Sequence, residues 1–555
     1  HADAPEADGM QDPAEAHEEA ERIARLIEVW GFVKYHHSDA REGRLAMDRE
    51  FFELYPAIAG AGSMAEAETV LVRWLARIGT GEPCAPCARD RMPEPGKIAL
   101  DAPTGAWMAS LPEPLATPIN AINTNRSAAS ANFQIETARG VGNAKFLNEP
   151  DYRSTTRDDA ALRMLAAARM WNTLRYWFPY RDVMDAPAAD ILVPAIAEVF
   201  AARTAQEHQR ALVKLAVRAD DGHARILAYR DAVAPAGDCI IPYTWRHVEG
   251  QLVVDGVEAH PANLLRAGDV VRAIDGESMS ALEERYASFV PASNEASRMN
   301  GLSYRLQSGA CGARTLTLDR DGATIEVTVE WMPPKEAGID LSHGRDRAGP
   351  VIQELEGDVV YVRFPMLKRG DVAELVARAN AGSGLVLDMR GYVTDYLIYE
   401  LGSRLRSEPF DFALFTQPSP ATPGLFTWSD PVTIEPAADG VRITVPVVAL
   451  IDETAGSSPE YHAMAWRAGG VRLVGSPTAG ADGNVSSIAL PRDGAEMRFS
   501  GVGVHYPDRS PTQRIGIVPD IEVTPTRQGI AAGRDEVLER ALVELRSMRD
   551  EQSAP

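Results

Sequence analysis

Residues 358–475 alternate short apolar runs with helical segments, and this alternation constrains the fold more than any other feature of the chain. Helical segments are predicted at about 371–381, 395–406 and 458–468. The apolar runs around them are VVYVRF (359–364), GLVLD (384–388), VPVVALI (445–451) and VRLV (471–474). Buried strands that alternate with helices predict a mostly parallel sheet. In such sheets reactive residues gather in the loops after the strand C-termini.

The N-terminal half contains two segments that read as copies of one helical unit. VWGFVKY at 29–35 matches MWNTLRY at 170–176, an offset of 141 residues. The residues around both motifs show apolar side chains at helical spacing. We therefore predict related helical units at about 21–82 and 157–223, separated by a Pro/Ala/Asn-rich connection at about 88–150.

A change to short strands and turns follows these units. Ala267–Gly276 predicts a strand that ends in an Asp-Gly turn, and 314–331 predicts a hairpin around Asp321-Gly322. The chain is therefore expected to be multidomain, with α+β and α/β parts. The predicted segments are an acidic disordered lead (1–20), two helical units (21–150 and 151–236), a small β domain (237–335) and an α/β domain (350–550).

Charge and cysteine content limit the partners and the compartment. The net charge of −23 argues against nucleic acid, and no apolar run approaches the ~20 residues of a membrane span. The acidic start resembles a chain whose signal peptide has been removed. Cys84 and Cys87 form a CxxC that fits a local disulfide better than half a zinc site or a redox pair. The even cysteine count, with Cys239 and Cys311, favours a periplasmic or secreted protein.

The loop Asp452–Glu460 (DETAGSSPE) links a predicted strand to a predicted helix. A serine at such a turn presents its hydroxyl at the sheet edge, and the helix N-terminus offers free N–H groups to an oxyanion. Taken alone, the loop favours a structural role, with Ser457 or Ser458 as a helix N-cap and Pro459 at the first helical position. It is not a GxSxG elbow.

Several motifs together resemble the serine peptidase family of C-terminal processing peptidases and the tricorn core. Residues 265–276 are similar to the strand-turn of PDZ domains. The remaining motifs follow in the family's order: GLVLDMRG, DETAGSSPEY, VGSPTAGADGN and GIVPDIEV. The resemblance implies a PDZ-like β domain before a ClpP/crotonase-like α/β catalytic domain, with the duplicated helical region in front.

The resemblance also implies site residues. The family's nucleophile stands three residues before an acid, which is Glu460 here, so Ser457 is the implied nucleophile. The N–H of Ser458 would form part of the oxyanion hole, with Gly391 or its neighbour Tyr392 as the second donor. The sequence departs from the family in this loop, because Val393-Thr394-Asp395 replaces Pro-Gly-Gly.

A serine nucleophile needs a base within hydrogen-bond reach. The processing branch uses a lysine after the serine, but the chain has six lysines and none beyond Lys368. The tricorn-type branch uses a histidine before the PDZ domain, which implies His223. The first helical unit has Glu82 at the position equivalent to His223, so the helical unit itself does not require a histidine there. His505 is the runner-up base, and His462 is expected to point away.

The third catalytic member is changed in this sequence. The family's acid corresponds to Gln513, which can orient a partner but cannot stabilise an imidazolium as an anion does. Asp482 and Asp508 are alternative acids. Gly222 also replaces the hydroxyl residue that the tricorn pattern has before its histidine.

The sequence thus predicts a periplasmic or secreted serine endopeptidase, a hydrolase of the tail-specific or tricorn-like type. Its substrates would be peptides or unfolded proteins, with no cofactor, no metal and no nucleic-acid partner. The oligomeric state, a homo-oligomer included, stays open. A catalytically silent peptide-binding relative is the alternative, and an esterase using the same serine is a third reading.

Overall fold

The computed structural model describes residues 13–83, 87, 92–94, 96–126, 132–154, 159–233, 237–256, 264–338, 345 and 347–553. These residues form a mixed helix and sheet protein. None of the described helices combines the length and the hydropathy that crossing a membrane requires. Cys84 and residues 1–12 lie outside the described residues, whereas Cys87 is disulfide-bonded.

The N-terminal half is helical, as the periodicity predicts. Helix α1 begins at Pro13, inside the segment 1–20 for which we expected disorder; its Ala and Glu residues are good helix formers. Side-chain caps start two later helices, at Ser63 and Thr204. The helices up to Val233 are α1 (Pro13–His36), α2 (Ser38–Arg41), α3 (Met47–Ala59), α4 (Met64–Ile78), α5 (Gly105–Ser110), α6 (Glu113–Asn125), α7 (Ala160–Trp177), α8 (Ala188–Ala201), α9 (Ala205–Val217) and α10 (Arg230–Val233).

Helices α1 and α7 touch each other at positions that the 141-residue offset makes equivalent. Asn172 Nδ2 donates to the carbonyl of Ile27 at 3.1 Å, and a Cβ on Gly31 would lie 1.9 Å from Asn172 Oδ1. Tyr35 and Tyr176 also meet, with ring centroids 5.7 Å apart. Only glycine at position 31 allows this approach, so the helices cross where the two similar sequence motifs align.

The expected connection at 88–150 is more than a linker. Besides α5 and α6 it contains β1 (Ile98–Leu100), β2 (Ile135–Thr137) and β3 (Ala144–Phe146). Strand β1 pairs with Phe426 and Thr427 of the α/β half. Short strands with few apolar residues carry little sequence signal, which is why the composition suggested only a loop.

The described residues of the segment 237–338 form a small antiparallel β unit with three helices. Its hairpin turns at Asp321 and Gly322, both with positive φ, which confirms the predicted Asp-Gly turn. A disulfide joins Cys239 to Cys311. The elements are β5 (Cys239–Ile240), β6 (Thr244–Val248), β7 (Gln251–Gly256), β8 (Val270–Ile274), β9 (Glu277–Ser278), α11 (Met279–Ala287), α12 (Glu295–Leu306), β10 (Ser308–Gly309), β11 (Gly312–Arg320), β12 (Ala323–Trp331) and α13 (Pro334–Ala337).

The C-terminal half contains the predicted parallel sheet. Its strand order is β13-β14-β15-β19-β20-β24, with only β13 antiparallel. The sheet elements are β13 (Ile352–Leu355), β14 (Val359–Arg363), β15 (Gly384–Asp388), β19 (Val447–Ile451), β20 (Arg472–Gly475) and β24 (Ile521–Glu522), and the helices are α14 (Val372–Ala381), α15 (Ile398–Gly402), α16 (Ser458–Ala468), α17 (Arg527–Ala531) and α18 (Glu536–Ser553).

Helix α15 is shorter than the predicted 395–406. The Leu397 N–H donates to the His462 side chain, and Arg404 and Leu405 end the helix with bonds to residues three positions earlier. The first bond holds the preceding loop outside the helix. A tertiary contact therefore overrides the local pattern at this point.

Two further sheets join the halves of the chain. One has the order β1-β17-β16-β18 with β23 beside β16, and the other has the order β21-β22-β4. Strand β4 follows the predicted base His223 directly, so this pairing fixes the helical region against the α/β half. The strands are β4 (Arg225–Ile226), β16 (Phe410–Pro418), β17 (Phe426–Trp428), β18 (Val432–Ile434), β21 (Val485–Ala489), β22 (Glu496–Ser500) and β23 (Gly503–His505).

Candidate active site

Ser457 stands at the turn between β19 and α16, at the C-terminal edge of the parallel sheet. Its backbone has φ 67° and ψ −119°. Ser457 is the N-cap of α16 and forms a capping box with Glu460, but an ordinary N-cap residue lies in the β region with negative φ. Strained backbone of this kind persists only where the surroundings enforce it, and it clusters at functional sites. Helix capping alone does not require this strain.

Glu460 is the residue that enforces this turn. It is fully buried, and its Oε2 accepts the Ser457 N–H at 3.0 Å and the Ala481 N–H at 3.0 Å. Its Oε1 accepts from the Thr478 hydroxyl and the Gly480 N–H. Burial raises the pKa of this carboxyl, and the four hydrogen bonds oppose that rise. Glu460 thus ties the nucleophile turn to the loop at 478–481.

His223 lies in the loop between α9 and β4. Its Nδ1 is 3.0 Å from the Ser500 hydroxyl, which donates to Asp221 Oδ1 at 2.9 Å. The Ser500 N–H donates to Asp221 Oδ2 at 2.7 Å, and the His223 N–H donates to Asp221 Oδ1 at 3.1 Å. Because the Ser500 hydroxyl hydrogen goes to Asp221, Ser500 accepts from His223 Nδ1–H. This arrangement leaves the lone pair on Nε2, the nitrogen that a general base needs.

The electrostatics of His223 suit a base at neutral pH. Burial lowers the pKa of the imidazole, the Asp221 carboxylate opposes this effect, and the Arg225 guanidinium adds to it. The net direction is downward, so the ring is neutral at pH 7. A part of the side chain, 13%, remains exposed, which leaves the ring accessible to a substrate.

Contacts between neighbouring residues bring Ser457 and His223 into one region. A Cβ on Gly222, the residue before His223, would lie 2.8 Å from the Cβ of Ala481. The Ala481 N–H shares Glu460 Oε2 with the Ser457 N–H. The nucleophile turn and the base loop are therefore separated by one short loop. The same contact explains why glycine stands at position 222, where the tricorn pattern has a hydroxyl residue.

Gln513 is close to the base loop but does not contact the imidazole. Its Nε2 donates to the Ser293 hydroxyl at 3.1 Å, and this hydroxyl also accepts the Gly222 N–H at 2.9 Å. Gln513 Oε1 is buried, and no described residue forms a hydrogen bond with it. Gln513 thus supports the backbone before His223 rather than the ring itself.

The two alternative acids have other surroundings. Asp482 is buried, and its Oδ1 accepts the Gly483 N–H while Oδ2 has no partner. Burial, followed by the nearby Glu460 charge, raises the pKa of Asp482 well above its usual range. Asp508 lies in an exposed turn, where it binds the hydroxyl and N–H of Ser510.

The acid beside His223 is Asp221, a residue that sequence reasoning missed. The sequence does contain a pattern that points to Asp221, because an Asp two residues before a histidine can accept the backbone N–H of that histidine in an Asx turn. Ser500 could not have been found this way. It reaches His223 only because β22 pairs with β4, with Arg498 opposite Arg225.

His462, the runner-up base His505 and Lys368 have other contacts. Both ring nitrogens of His462 are hydrogen-bonded, to the Ser458 carbonyl and the Leu397 N–H. His505 packs its ring against Trp428, and burial lowers its pKa to about 4. Lys368 is exposed and donates to Thr394 and Asp395.

The predicted oxyanion loop starts at the end of β15, beside the nucleophile strand. Asp388 lies opposite Leu450 in the parallel register, so the loops after β15 and β19 emerge at one edge of the sheet. The Gly391 N–H donates to the Met389 carbonyl at 2.8 Å. Among the described residues the next amide, Tyr392 N–H, has no acceptor. Tyr392 is therefore the better placed of the two predicted donors in this state of the loop.

Two arginines hold the start of the nucleophile loop. Arg345 contacts Asp452 at 3.1 Å and also pairs with Glu453, and Arg246 of β6 lies 3.4 Å from Glu453. Burial would raise the pKa of Asp452, but Arg345 and Arg246 outweigh burial and lower it to about 2. These ion pairs connect the small β unit to the nucleophile loop.

Residues 358–523 match the model of peptidase family S41. The chain carries an S41 peptidase domain. This confirms the resemblance derived from the motif order, and the family makes the chain a serine-type peptidase. The matched residues include Ser457 and both predicted oxyanion donors, whereas His223 precedes them. No curated protein matches the sequence.

Among solved structures, mature CPAF complexed with lactacystin superposes with a TM-score of 0.57 at 15% identity, covering 70% of this chain and 99% of that chain. Mature CPAF gives a TM-score of 0.55 at 15% identity, covering 71% and 98%. At this identity the likeness shows that this chain shares their fold. The photosystem II D1 C-terminal processing protease reaches a TM-score of 0.40 at 17% identity, covering 67% and 96%.

Proposed function

We propose that the chain is a serine endopeptidase that cleaves peptides or unfolded polypeptides through an acyl-enzyme on Ser457. The observation that carries this proposal is the strained backbone of Ser457 at the start of α16. A second observation supports the proposal: His223 is neutral, and Ser500 and Asp221 hold it in the tautomer that a base requires. The match of residues 358–523 to peptidase family S41 supports hydrolysis of peptide bonds as the reaction.

In the first step His223 Nε2 takes the proton from Ser457 Oγ, which attacks the peptide carbonyl carbon. The oxyanion that forms is stabilised by the Ser458 N–H at the helix start, together with the Tyr392 N–H or the Gly391 N–H. His223 then gives its proton to the leaving amine, and water hydrolyses the acyl-enzyme by the same route. Asp221 stabilises the imidazolium through the Ser500 hydroxyl.

This assignment changes the third catalytic member from Gln513 to Asp221. An anion is needed to stabilise a charged imidazole, and an amide cannot replace it. Gln513 keeps a supporting role, because with Ser293 it holds the Gly222 backbone next to the base.

The small β unit is proposed as a PDZ-like domain that captures peptide chains. Its outer strands β6 and β12 could each accept an added strand, the usual way in which sheets bind extended peptides. The disulfide Cys239–Cys311 supports a periplasmic or secreted location.

The test is cleavage of an unfolded polypeptide by a Ser457→Ala variant. We expect cleavage to fall to background, while Ser487→Ala, an exposed serine of β21, cleaves like the parent. Cleavage by Ser457→Ala at the parent rate would contradict the proposal.

A catalytically silent peptide binder is the second candidate, and one observation favours it. The Gly391 amide already donates to the Met389 carbonyl, so one predicted oxyanion donor is occupied. This alternative expects peptide binding with no turnover by the parent, and equal peptide affinity for the parent and Ser457→Ala.

A further inference from the structure

The His462 imidazole bridges the nucleophile helix and the oxyanion loop. Its Nδ1 lies 2.7 Å from the carbonyl oxygen of Ser458, one turn earlier in α16. Its Nε2 accepts the backbone N–H of Leu397 at 3.1 Å. One ring therefore joins two backbone groups that are far apart in the sequence.

Only one form of the ring satisfies both contacts. A carbonyl needs a donor, so Nδ1 carries the proton, and the Leu397 N–H needs an acceptor, so Nε2 carries the lone pair. His462 is fully buried, with the rings of Phe364, Tyr396 and Trp466 at 5.5, 5.7 and 5.6 Å. This burial lowers the pKa of His462 to about 4, which keeps the ring neutral.

The two bridged groups belong to the two sides of the proposed oxyanion hole. Ser458 follows the nucleophile and contributes its N–H to the hole. Leu397 closes the loop that begins at Gly391 and carries the second donor. The ring of Tyr396 also stacks on Tyr461 of α16, at 6.2 Å, so the end of the loop and the first turn of the helix meet at this point.

The loop also forms an exposed ion pair. Lys368 reaches Thr394 and Asp395, and its own side chain is 56% exposed. Exposed ion pairs of this kind contribute little. Among the described residues, His462 is the only side chain of α16 that hydrogen-bonds a backbone amide of the loop 391–397.

We propose that His462 is a positioning residue that sets the spacing between the two oxyanion donors, an inference that rests on the proposed peptidase function. It fixes the loop through Leu397 and the helix through Ser458, and it touches neither substrate nor nucleophile. Donors that are shifted by about 1 Å cost about 10²-fold in rate, and loss of one oxyanion donor costs about 10²–10³-fold in kcat.

The chain offers a matched control in His36. That histidine is also fully buried in a helix, and its Nδ1 also contacts the carbonyl four residues earlier, Phe32, at 2.9 Å. Burial lowers its pKa as well. Its Nε2, however, has no hydrogen-bond partner among the residues that the structure describes. His36 and His462 therefore differ mainly in the contact on which the proposal depends.

The experiment compares His462→Phe, His462→Gln and His36→Phe in the full chain. We expect His462→Phe to lower kcat and the rate of labelling by a fluorophosphonate about 10²-fold, with KM within about twofold. His462→Gln, which can both donate and accept, should recover a large part of that loss. His36→Phe should leave kcat and the labelling rate unchanged.

Two spectroscopic readouts test the bridge without any need for activity. In ¹⁵N-histidine-labelled protein, the signals missing from His462→Phe should belong to a ring protonated at Nδ1 and unprotonated at Nε2. The Leu397 amide should exchange slowly in the parent and fast in His462→Phe.

Kinetics of His462→Phe within threefold of the parent, or a ring protonated at Nε2, would overturn the positioning role. A parent that is not labelled at all would overturn the proposed function. The nitrogen signals and the Leu397 amide then still decide whether the bridge exists.

Discussion

The Nδ1 of His223 lies 3.0 Å from the hydroxyl of Ser500. This hydroxyl donates a hydrogen bond to Asp221, so the buried carboxylate acts on the imidazole through the hydroxyl that lies between them. The direct distance from His223 Nδ1 to Asp221 Oδ1 is 3.8 Å. The imidazole of His223, the proposed base, is therefore oriented by two residues, one of which comes from a strand nearly three hundred positions later.

Asp221→Asn should remove the charge that stabilises the imidazolium while leaving a similar shape. We expect kcat to fall by about 10²–10⁴-fold, since loss of the orienting acid has effects of this order in serine peptidases. Steady-state cleavage of a peptide measures the change. Asp220→Asn is the control, because Asp220 contacts Asp185 and Arg514 instead. Equal losses in both variants would contradict the assigned role of Asp221.

The pH dependence of activity follows from the lowered pKa of His223. The reaction needs the neutral ring, so activity is complete above this pKa and is lost as the pH falls through it. We expect the acid limb of kcat/KM to have its midpoint below 6.5, the ordinary value. Asp221 raises this pKa, so the midpoint of the residual activity in Asp221→Asn should move still lower. A midpoint above 6.5 in the parent would refute this account.

Gly222→Ser would restore the hydroxyl of the tricorn pattern but should destabilise the protein. The new Cβ would meet the Cβ of Ala481 at 2.8 Å, and such overpacking typically costs about 1–3 kcal/mol. The double variant with Ala481→Gly should recover most of the loss. Urea unfolding of the parent, both single variants and the double variant gives the coupling energy. Additive effects would show that the two residues do not touch.

Asp482→Asn should stabilise the folded chain at neutral pH. The pKa of Asp482 is raised in the folded state, so the unfolded chain loses this proton first as the pH rises. The free energy of unfolding therefore falls as the pH rises above about 3.9, the pKa of an aspartate in the unfolded chain. The total loss is about 1.4 kcal/mol for each unit by which the folded pKa exceeds the unfolded pKa. Asparagine removes this penalty.

Thermal unfolding at pH 4 and pH 7.5 measures the effect, which should be larger at pH 7.5. The exposed Asp508 is the control, because its pKa is lowered by Ser510 and Asp508→Asn should bring no gain. A stability gain for Asp482→Asn that did not depend on pH would exclude the proposed titration.

The α/β half could be predicted well from the sequence because its strands are buried on both faces. The run GLVLD at 384–388 coincides with β15, Gly384–Asp388, and 458–468 coincides with α16. The strands β17 and β22 gave no comparable signal, and each has a partner from a distant part of the chain, β1 and β4 respectively. Pairing between distant segments is not encoded in local periodicity.

In the candidate site, too, the residues in local motifs could be predicted, whereas those that depend on tertiary contacts could not. Ser457 and His223 follow from motifs that are local in sequence. The third member was expected at Gln513, whereas the anion beside the base is Asp221, reached through Ser500. Likewise, His462 was expected to point away from the site. Its ring nitrogens contact Ser458 and Leu397, and only the position of the loop at 391–397 reveals the second contact.

Labelling with a fluorophosphonate probe, followed by mass spectrometry of the modified peptide, tests the central claim most directly. The proposed mechanism predicts one modified residue, Ser457, in the parent protein. It also predicts no modification in Ser457→Ala and a strongly reduced rate in His223→Ala, with folding confirmed by thermal unfolding. Modification of a different residue, or labelling of Ser457 at an undiminished rate in His223→Ala, would contradict the account.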